Sequence, residues 1–431
     1  MNAPRAPLKS LDQALAELLA QALPLAGTET VSTFDADGRV LAQDLVSALH
    51  VPPQDNSSMD GYALRCADVP AAGTVLRVTQ RIPAGQHGQP LKIGEAARIF
   101  TGAPVPAGAD AIVMQEECEV VDEGRVRVNS VPDSGQWIRC AGEDVTRGVV
   151  VLARGQRLNP AALGLAAGIG QSQLTVARRL RVALFSTGDE LVMPGDVPPE
   201  QMPPGAIYNS NRFFLRALLQ RLGCEVTDFG IVPDQRAATL SALRGAAHGH
   251  DLVLTSGGVS VGEEDHIKPA VEQLGELDLW QISMKPGKPF AYGKIHRTVR
   301  PEPVEGLAGA STSSARTDFA HFAGLPGNPV SSYVTFMLLV RPFLLKLQGV
   351  TQLEPVRMAL PAHFELKRGD KRREFLRVRR NIAGGLDLFP NQSSGVLTSA
   401  VWGDGLVDNP AGQTIAKGDA VQFLAFAELM A

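Results

Sequence analysis

Between Arg181 and Gly275, apolar strand-like runs alternate with amphipathic helix-like runs, and this rhythm constrains the fold of the 431-residue chain more than any other feature. RVALFS (181–186) is apolar through its centre, as a strand covered on both faces must be. NRFFLRALLQRLG (211–223) spaces its apolar residues for one face of a helix. CEVTDFGIV, RAATLSALRGAAHG, DLVLTSG and DHIKPAVEQLG continue as strand, helix, strand and helix. Parallel strands need long crossovers, so the rhythm predicts a mostly parallel sheet with helices on both faces. Ligands of such sheets bind beyond the carboxyl ends of the strands. Two polar motifs, STGDEL (186–191) and TSGGVSVGEEDH (255–266), fall at that address.

The rest of the chain has a different texture. Ser10 and Gln13 form a capping-box pattern that predicts an amphipathic helix over about residues 11–22. VSTFDADGRVLAQDLVS carries Asp37-Gly38 between two alternating runs and predicts a hairpin. Residues 70–150 are short alternating stretches broken by Gly and Pro, the pattern of a small β domain, and ALGLAAGIG (162–170) reads as helix. Residues 297–320 are Pro- and Ser-rich, resemble the translated product of a bacterial interspersed DNA repeat, and predict an exposed, disordered insertion without a function of its own. Beyond residue 351 short strands return. The expected division is therefore a linker domain (1–50 with 145–179), a small β domain (51–144), an α/β domain (180–350) and a C-terminal β domain (351–431).

Several function classes are disfavoured. A net charge of −4 gives no whole-protein attraction to nucleic acid or anionic lipid. Cys66, Cys118, Cys140 and Cys224 lie far apart, which argues against a disulfide framework or zinc site and for a reducing compartment. Asp12 and Glu17 interrupt the N-terminal Ala/Leu segment where a signal peptide would be apolar, and no run of 18 apolar residues occurs, so a cytoplasmic protein that does not cross a membrane is expected. P-loop, HExxH, GxSxG and Rossmann GxGxxG patterns are missing. Carboxylates, glycine loops and bases remain, an inventory that suits metal-assisted chemistry on a phosphate ester.

Each candidate stretch has two readings at this level. TSGGVSVGEEDH, with Glu263, Glu264 and Asp265 side by side, is either a polar loop or a phosphate-plus-metal site. STGDEL is a turn with capping oxygens or part of that site. Asp60-Gly61 in NSSMDGYALR is a hairpin turn or a functional loop, and Thr101-Gly102 ends a strand at an exposed loop. KPGKP brings Lys285 and Lys288 around a rigid turn suited to an anion. GLPGNPVSS opens an apolar helix whose free N–H groups form an anion site or a plain turn. His248 and His250 flank Gly249 at a helix end, where a cap is the expected role. Across 361–380 eight basic residues face three acidic ones, and the alternation of REFLRVR puts Arg377 and Arg379 on one side with Phe375. That strand is solvated charge or a holder of phosphate or an oxyanion.

NSSMDGYALR, RIFTGAPVPAGADAIVMQEE, AGEDV, FSTGDEL, IYNSNR, TSGGVSVGEEDH, KPGKPFAYGK and GLPGNPVSS occur in the order in which the MoeA family carries them. The chain resembles that family, which includes the E domain of gephyrin and its plant counterpart, from about residue 10 to residue 430. The resemblance implies a multidomain fold with a MogA/MoaB-like α/β domain beside β domains. The implied activity is that of a molybdopterin molybdenumtransferase: Mg²⁺-dependent insertion of molybdate into adenylylated molybdopterin with release of AMP. It further implies a homodimer whose cleft is shared between subunits, with a MogA-type adenylyltransferase and molybdoenzymes as candidate partners. A pterin-binding scaffold without turnover and a MogA-type adenylyltransferase are the alternatives.

Carried over by motif position, Asp60, Thr101, Glu190, Asp234 and Asp265 are the implied cleft residues, with Asp60 and Thr101 supplied by the other chain. Glu190 and Asp265 are the implied Mg²⁺ ligands. Ser256, Gly257, Gly258, Ser260 and Gly262, with Gly327 and Asn328, would cradle the pterin phosphate, and Thr187, Gly188, Ser210 and Asn211 would also touch substrate. Lys285, Lys288 and Arg377 would face the pyrophosphate or molybdate.

Overall fold

The computed structural model describes residues 8–259, 266–297 and 318–430. Ser260, Gly262 and Asp265, and most of the 297–320 insertion, therefore lie outside the described residues. The α/β rhythm becomes a six-stranded sheet in the order Glu225–Val232, Arg181–Thr187, Leu252–Ser256, Phe319–Leu325, Pro289–His296, Gly275–Gln281. The first four strands run parallel, and Pro289–His296 pairs antiparallel with both of its neighbours. The chain leaves Arg181–Thr187 for one side of the sheet and later returns to build the other side from Leu252–Ser256. A crevice opens at such a reversal.

Alternation within the strands supplies two cores. Val182, Leu184, Leu252 and Leu254 face Leu215, Leu218 and Leu219 of helix Asn211–Arg221. Ala183, Phe185 and Val253 face Leu243, Ala246 and Ala247 of helix Arg236–Gly249 and Ala270 and Val271 of helix Ile267–Leu274. The helical stretch Pro329–Leu347 completes the first core. Its mean hydropathy of 1.4 and length would suit a membrane span, but 83% of that window is buried inside the fold. His250 caps its helix end as expected, with Nδ1 2.7 Å from the Ala246 carbonyl. The insertion joins Pro289–His296 to Phe319–Leu325, whose His296–Phe319 pairing lies at the amino ends of the parallel strands, opposite the ligand address.

The Ser10–Gln13 capping box forms, and helix Leu11–Gln21 follows it. Although its sequence groups it with the linker region, it buries Leu11, Ala14 and Leu18 in the first core of the α/β unit. The hairpin expected at Asp37-Gly38 does not form. Thr28–Ser32 pairs with Gln173–Ala177, and Leu41 bridges Val176 in that same strand, so the two runs flank a third rather than each other. Gly61 likewise begins strand Gly61–Leu64, which pairs with Glu95–Ile99 and Ala111–Met114, so Asp60-Gly61 is no hairpin turn. These strands belong to a six-stranded sheet over residues 61–128 with its own core. The C-terminal sheet is built from Arg373–Arg380, Gly405–Asn409, Ala420–Ala425 and Met358–Pro361, and it recruits Met284–Lys285 from the α/β unit as a parallel edge strand.

Candidate functional site

Every parallel strand of the α/β sheet ends at one cavity of about 720 Å³. Thr187, Gly188 and Glu190 reach it from the end of Arg181–Thr187, Asp234 from the loop after Val232, Ser256 to Val259 from the end of Leu252–Ser256, and Pro326 to Asn328 from the end of Phe319–Leu325. Ser210 and Asn211 begin one helix and Asn328 caps another, so two helix amino ends converge there. Partial positive charge at such ends favours an anion between them.

Local hydrogen bonds hold these loops in register. Asn211 Nδ2 donates 2.7 Å bonds to Ser256 Oγ and to the Gly327 carbonyl, which ties the glycine loops after two strands to one side chain. The Asp234 N–H donates to Asp189 Oδ1 (3.2 Å), joining two more loops. Parallel pairing of Leu191–Val192 with Ile207–Tyr208 brings Glu190 beside the Asn209–Asn211 segment. Gly257 has φ of +93°, and a Cβ there would lie 2.7 Å from the Thr187 carbonyl oxygen. Only glycine lets these two loops meet at that distance.

The floor of the cavity is polar and incompletely bonded. Ser186, Asn209 and Asn211 are 1%, 2% and 8% exposed, yet Ser186 Oγ, Asn209 Nδ2 and Asn211 Oδ1 have no partner among the described residues. Buried polar atoms are normally satisfied, so three orphans in one cavity mark the place of a polar ligand or its water. Ser186 and Asn209 were not singled out from the sequence, although both stand inside motifs quoted above. Gly395, from the C-terminal unit, also reaches the cavity, and the Ser394 carbonyl accepts the Val330 N–H (2.9 Å). Nothing local to residues 391–395 signals that role.

Other expected site residues lie elsewhere. Asp60 and Thr101 do not line this cavity but are bonded to each other. The Thr101 N–H and hydroxyl each donate 2.8 Å bonds to Asp60 Oδ1. Those two bonds, the backbone one foremost, hold the Asp60 carboxyl below its ordinary pKa, with help from the nearby Arg98. Arg98 in turn donates to the Gly61 carbonyl (2.8 Å) and stacks on Tyr62 and Phe100. Lys285 and Lys288 line a neighbouring basic cleft of about 560 Å³ with Arg368, Lys371 and Arg372. Burial favours the neutral form of Lys285, but its bonds to Glu374 (3.1 Å) and Asp370 (3.2 Å) outweigh this and raise its pKa.

Arg377 corrects an expectation. It does not face a ligand: it is 1% exposed inside the C-terminal unit. Its guanidinium donates to the Phe375 carbonyl (3.1 Å), Ser399 Oγ (3.1 Å) and the Ser393 carbonyl (3.3 Å). Burial lowers its pKa to about 10, with Glu374 acting in the opposite direction. Of the three residues expected on one strand face, Phe375 and Arg377 are buried, whereas Arg379 is exposed and lies over the Trp402 ring.

Among the described residues no group of three or more His, Cys, Asp or Glu could hold a metal. The carboxylates that do reach the cavity, Glu190 and Asp234, suit a cation such as Mg²⁺, which takes one or two protein carboxylates and completes its shell with phosphate and water.

Comparison with known proteins covers almost the whole chain. Residues 9–170 match the family model "MoeA N-terminal region (domain I and II)", residues 183–346 "Probable molybdopterin binding domain", and residues 359–426 "MoeA C-terminal region (domain IV)". A molybdopterin molybdenumtransferase of Haemophilus influenzae is 41% identical over 372 residues, 85% of each chain. One of Synechococcus elongatus is 37% identical over 425 residues, 96% of this chain and 98% of that one. The crystal structure of the molybdopterin biosynthesis MoeA protein of Pyrococcus horikoshii OT3 superposes with a TM-score of 0.81 at 26% identity, covering 97% of this chain and all of that one.

Proposed function

Because this chain belongs to the MoeA family of molybdopterin molybdenumtransferases, we propose that its sheet-end cavity binds adenylylated molybdopterin and that the enzyme exchanges AMP for molybdenum there. It is a transferase of molybdenum cofactor biosynthesis. The observation that carries the finer reading is the set of orphaned buried atoms, Ser186 Oγ, Asn209 Nδ2 and Asn211 Oδ1, beneath two helix amino ends. Their donors and acceptors suit a polar heterocycle with an attached phosphate better than an apolar ligand.

In this reading the backbone of Gly257, Gly258 and Gly327 contacts the phosphate, and Asn211 keeps the two glycine loops at a fixed spacing. Glu190 would hold Mg²⁺, with Asp234 orienting the substrate and Asp265 as the second ligand that the family resemblance implies. When bound, Mg²⁺ neutralises charge on the diphosphate and eases departure of AMP. Lys285 and Lys288 supply cationic charge in the neighbouring cleft, where an oxyanion such as molybdate would wait. Asp60 and Thr101 complete the cavity from a second copy of the chain, forming a homodimer with shared sites.

Two measurements test this. AMP release from adenylylated molybdopterin should require Mg²⁺ and molybdate together; release indifferent to molybdate removes the insertion step. Asp60→Asn and Glu190→Gln should each be inactive, whereas mixing the two under subunit exchange should restore about a quarter of wild-type activity, because half the dimers then carry one intact site. No recovery in mixed dimers would show that Asp60 does not serve the partner's cavity.

A further inference from the structure

A second cavity, of about 470 Å³, lies where four segments meet: loop 153–157, the buried Pro329–Leu347 helix, connector 350–356 and helix Phe426–Met430. Arg154, Arg157 and Arg341 line it, and none of its lining residues belongs to the cavity at the sheet ends. A cation taken out of water is costly unless it is paired, so buried guanidiniums normally meet carboxylates. These two do not. Arg341, 6% exposed, donates from Nη1 to the Leu353 carbonyl (3.1 Å) and from Nη2 to the Glu428 carbonyl (3.3 Å), while its Nε is buried without a partner among the described residues. Half-buried Arg157 donates from Nε to the Gly38 carbonyl (3.2 Å) and from Nη2 to the Arg221 carbonyl (2.6 Å).

Neutral carbonyls accept two bonds from each arginine but place no negative charge at ion-pair distance from either. Burial lowers the pKa of each arginine, and Arg157 lowers that of Arg341 further, so the two cations lie within each other's field. The charges facing them are Asp37 on the Arg157 side and Glu428 on the Arg341 side, neither within ion-pair distance, and exposed Glu354 at the rim.

We infer that this cavity is an oxyanion site, in which Arg154, Arg157 and Arg341 take a tetrahedral dianion: inorganic phosphate or the phosphate of a small phosphomonoester. Guanidinium forks match the oxygens of such an ion, and its negative charge offsets the excess of the three guanidiniums over Glu354 and Glu428. The ion also ties regions together. A Cβ on Gly155 would lie 2.7 Å from the Gly349 carbonyl oxygen, so loop 153–157 already sits directly on the start of the connector. An anion held by Arg157 and Arg341 joins the linker region to the buried helix and, through the Leu353 and Glu428 carbonyls, to the connector and the C-terminal helix.

The test titrates the full chain with inorganic phosphate and, separately, ribose 5-phosphate, read by calorimetry and by thermal unfolding. Binding of either supports the site, and which one binds tells the free ion from the ester; binding of neither overturns it. Arg157→Gln should weaken binding about tenfold or more and Arg154→Ser, an exposed position, about threefold, while Glu428→Gln removes a competing carboxylate and should tighten it. An unchanged response in both arginine variants would assign the phosphate to another site and overturn the inference. Crystals soaked in selenate should show anomalous density between Arg157 and Arg341; density only at the sheet-end cavity overturns it equally.

Discussion

The cavity at the sheet ends and the Asp60–Thr101 pair represent two ways of preparing a polar group for work. In the cavity, Ser186, Asn209 and Asn211 are buried and keep atoms without partners. On the small β domain, Asp60 and Thr101 are both exposed, and the acceptor Asp60 Oδ1 already receives two donors from Thr101. The first arrangement costs folding free energy that a ligand can return, which is the signature of a binding site. The second costs nothing and presents a carboxylate of fixed direction and lowered pKa to whatever approaches. A substrate seated in the cavity and reached by Asp60 from a partner chain would use both: affinity from the orphans, orientation from the satisfied loop.

The largest effect that can break this contrast is on turnover. Asp60→Asn and Glu190→Gln should each lower molybdate-dependent AMP release by about 10²–10³-fold, the range for losing one electrostatic group at a reacting centre. Full activity in Asp60→Asn would leave the exposed pair a structural ornament. Next, Asn211→Ala should cost about 1–3 kcal/mol in denaturant unfolding, because Ser256 and Gly327 lose a buried donor. Thr101→Val, on the exposed pair, should leave unfolding nearly unchanged; equal losses in both would erase the distinction. Gly257→Ala should destabilise by about 1–3 kcal/mol, since its positive φ and the Thr187 carbonyl leave no room for a methyl group.

The smallest effect is on pH dependence. Thr101 stabilises the ionised form of Asp60, so the folded pKa lies below the unfolded one. The ionised state, and any stability linked to it, is present above the unfolded pKa and is lost as pH falls through the folded pKa. Removing the hydroxyl in Thr101→Val takes away one of the two donors and should move the acidic limb of kcat/KM to higher pH. A limb that stays in place would assign it to another group.

Local patterns were legible where the chain's own neighbours decide the outcome. The Ser10–Gln13 box closes within one turn, and the apolar strands Arg181–Thr187 and Leu252–Ser256 are covered on both faces, as their composition requires. The hairpin at Asp37-Gly38 failed for a non-local reason: Gln173–Ala177, far along the chain, inserts between the runs that a local turn would have paired. Arg377 failed similarly. Alternation correctly grouped it with Phe375, but its hydrogen-bond acceptors at Ser393 and Ser399 come from a segment whose approach no local pattern records.

The sequence by itself determined the order of strands and helices along the α/β unit and the placement of the glycine loops directly after strands, and thus the sheet edge at which a ligand is expected. Strand periodicity and connection geometry are properties of short segments, which is why they can be read one segment at a time. Only the tertiary structure decided that Asn211 ties two glycine loops together, that Ser186 and Asn209 keep unpartnered atoms, and that Arg157 and Arg341 share a cavity with no carboxylate at ion-pair distance among the described residues. Each of those facts depends on which polar atoms remain unsatisfied after packing, and that sum exists only once every segment has found its place.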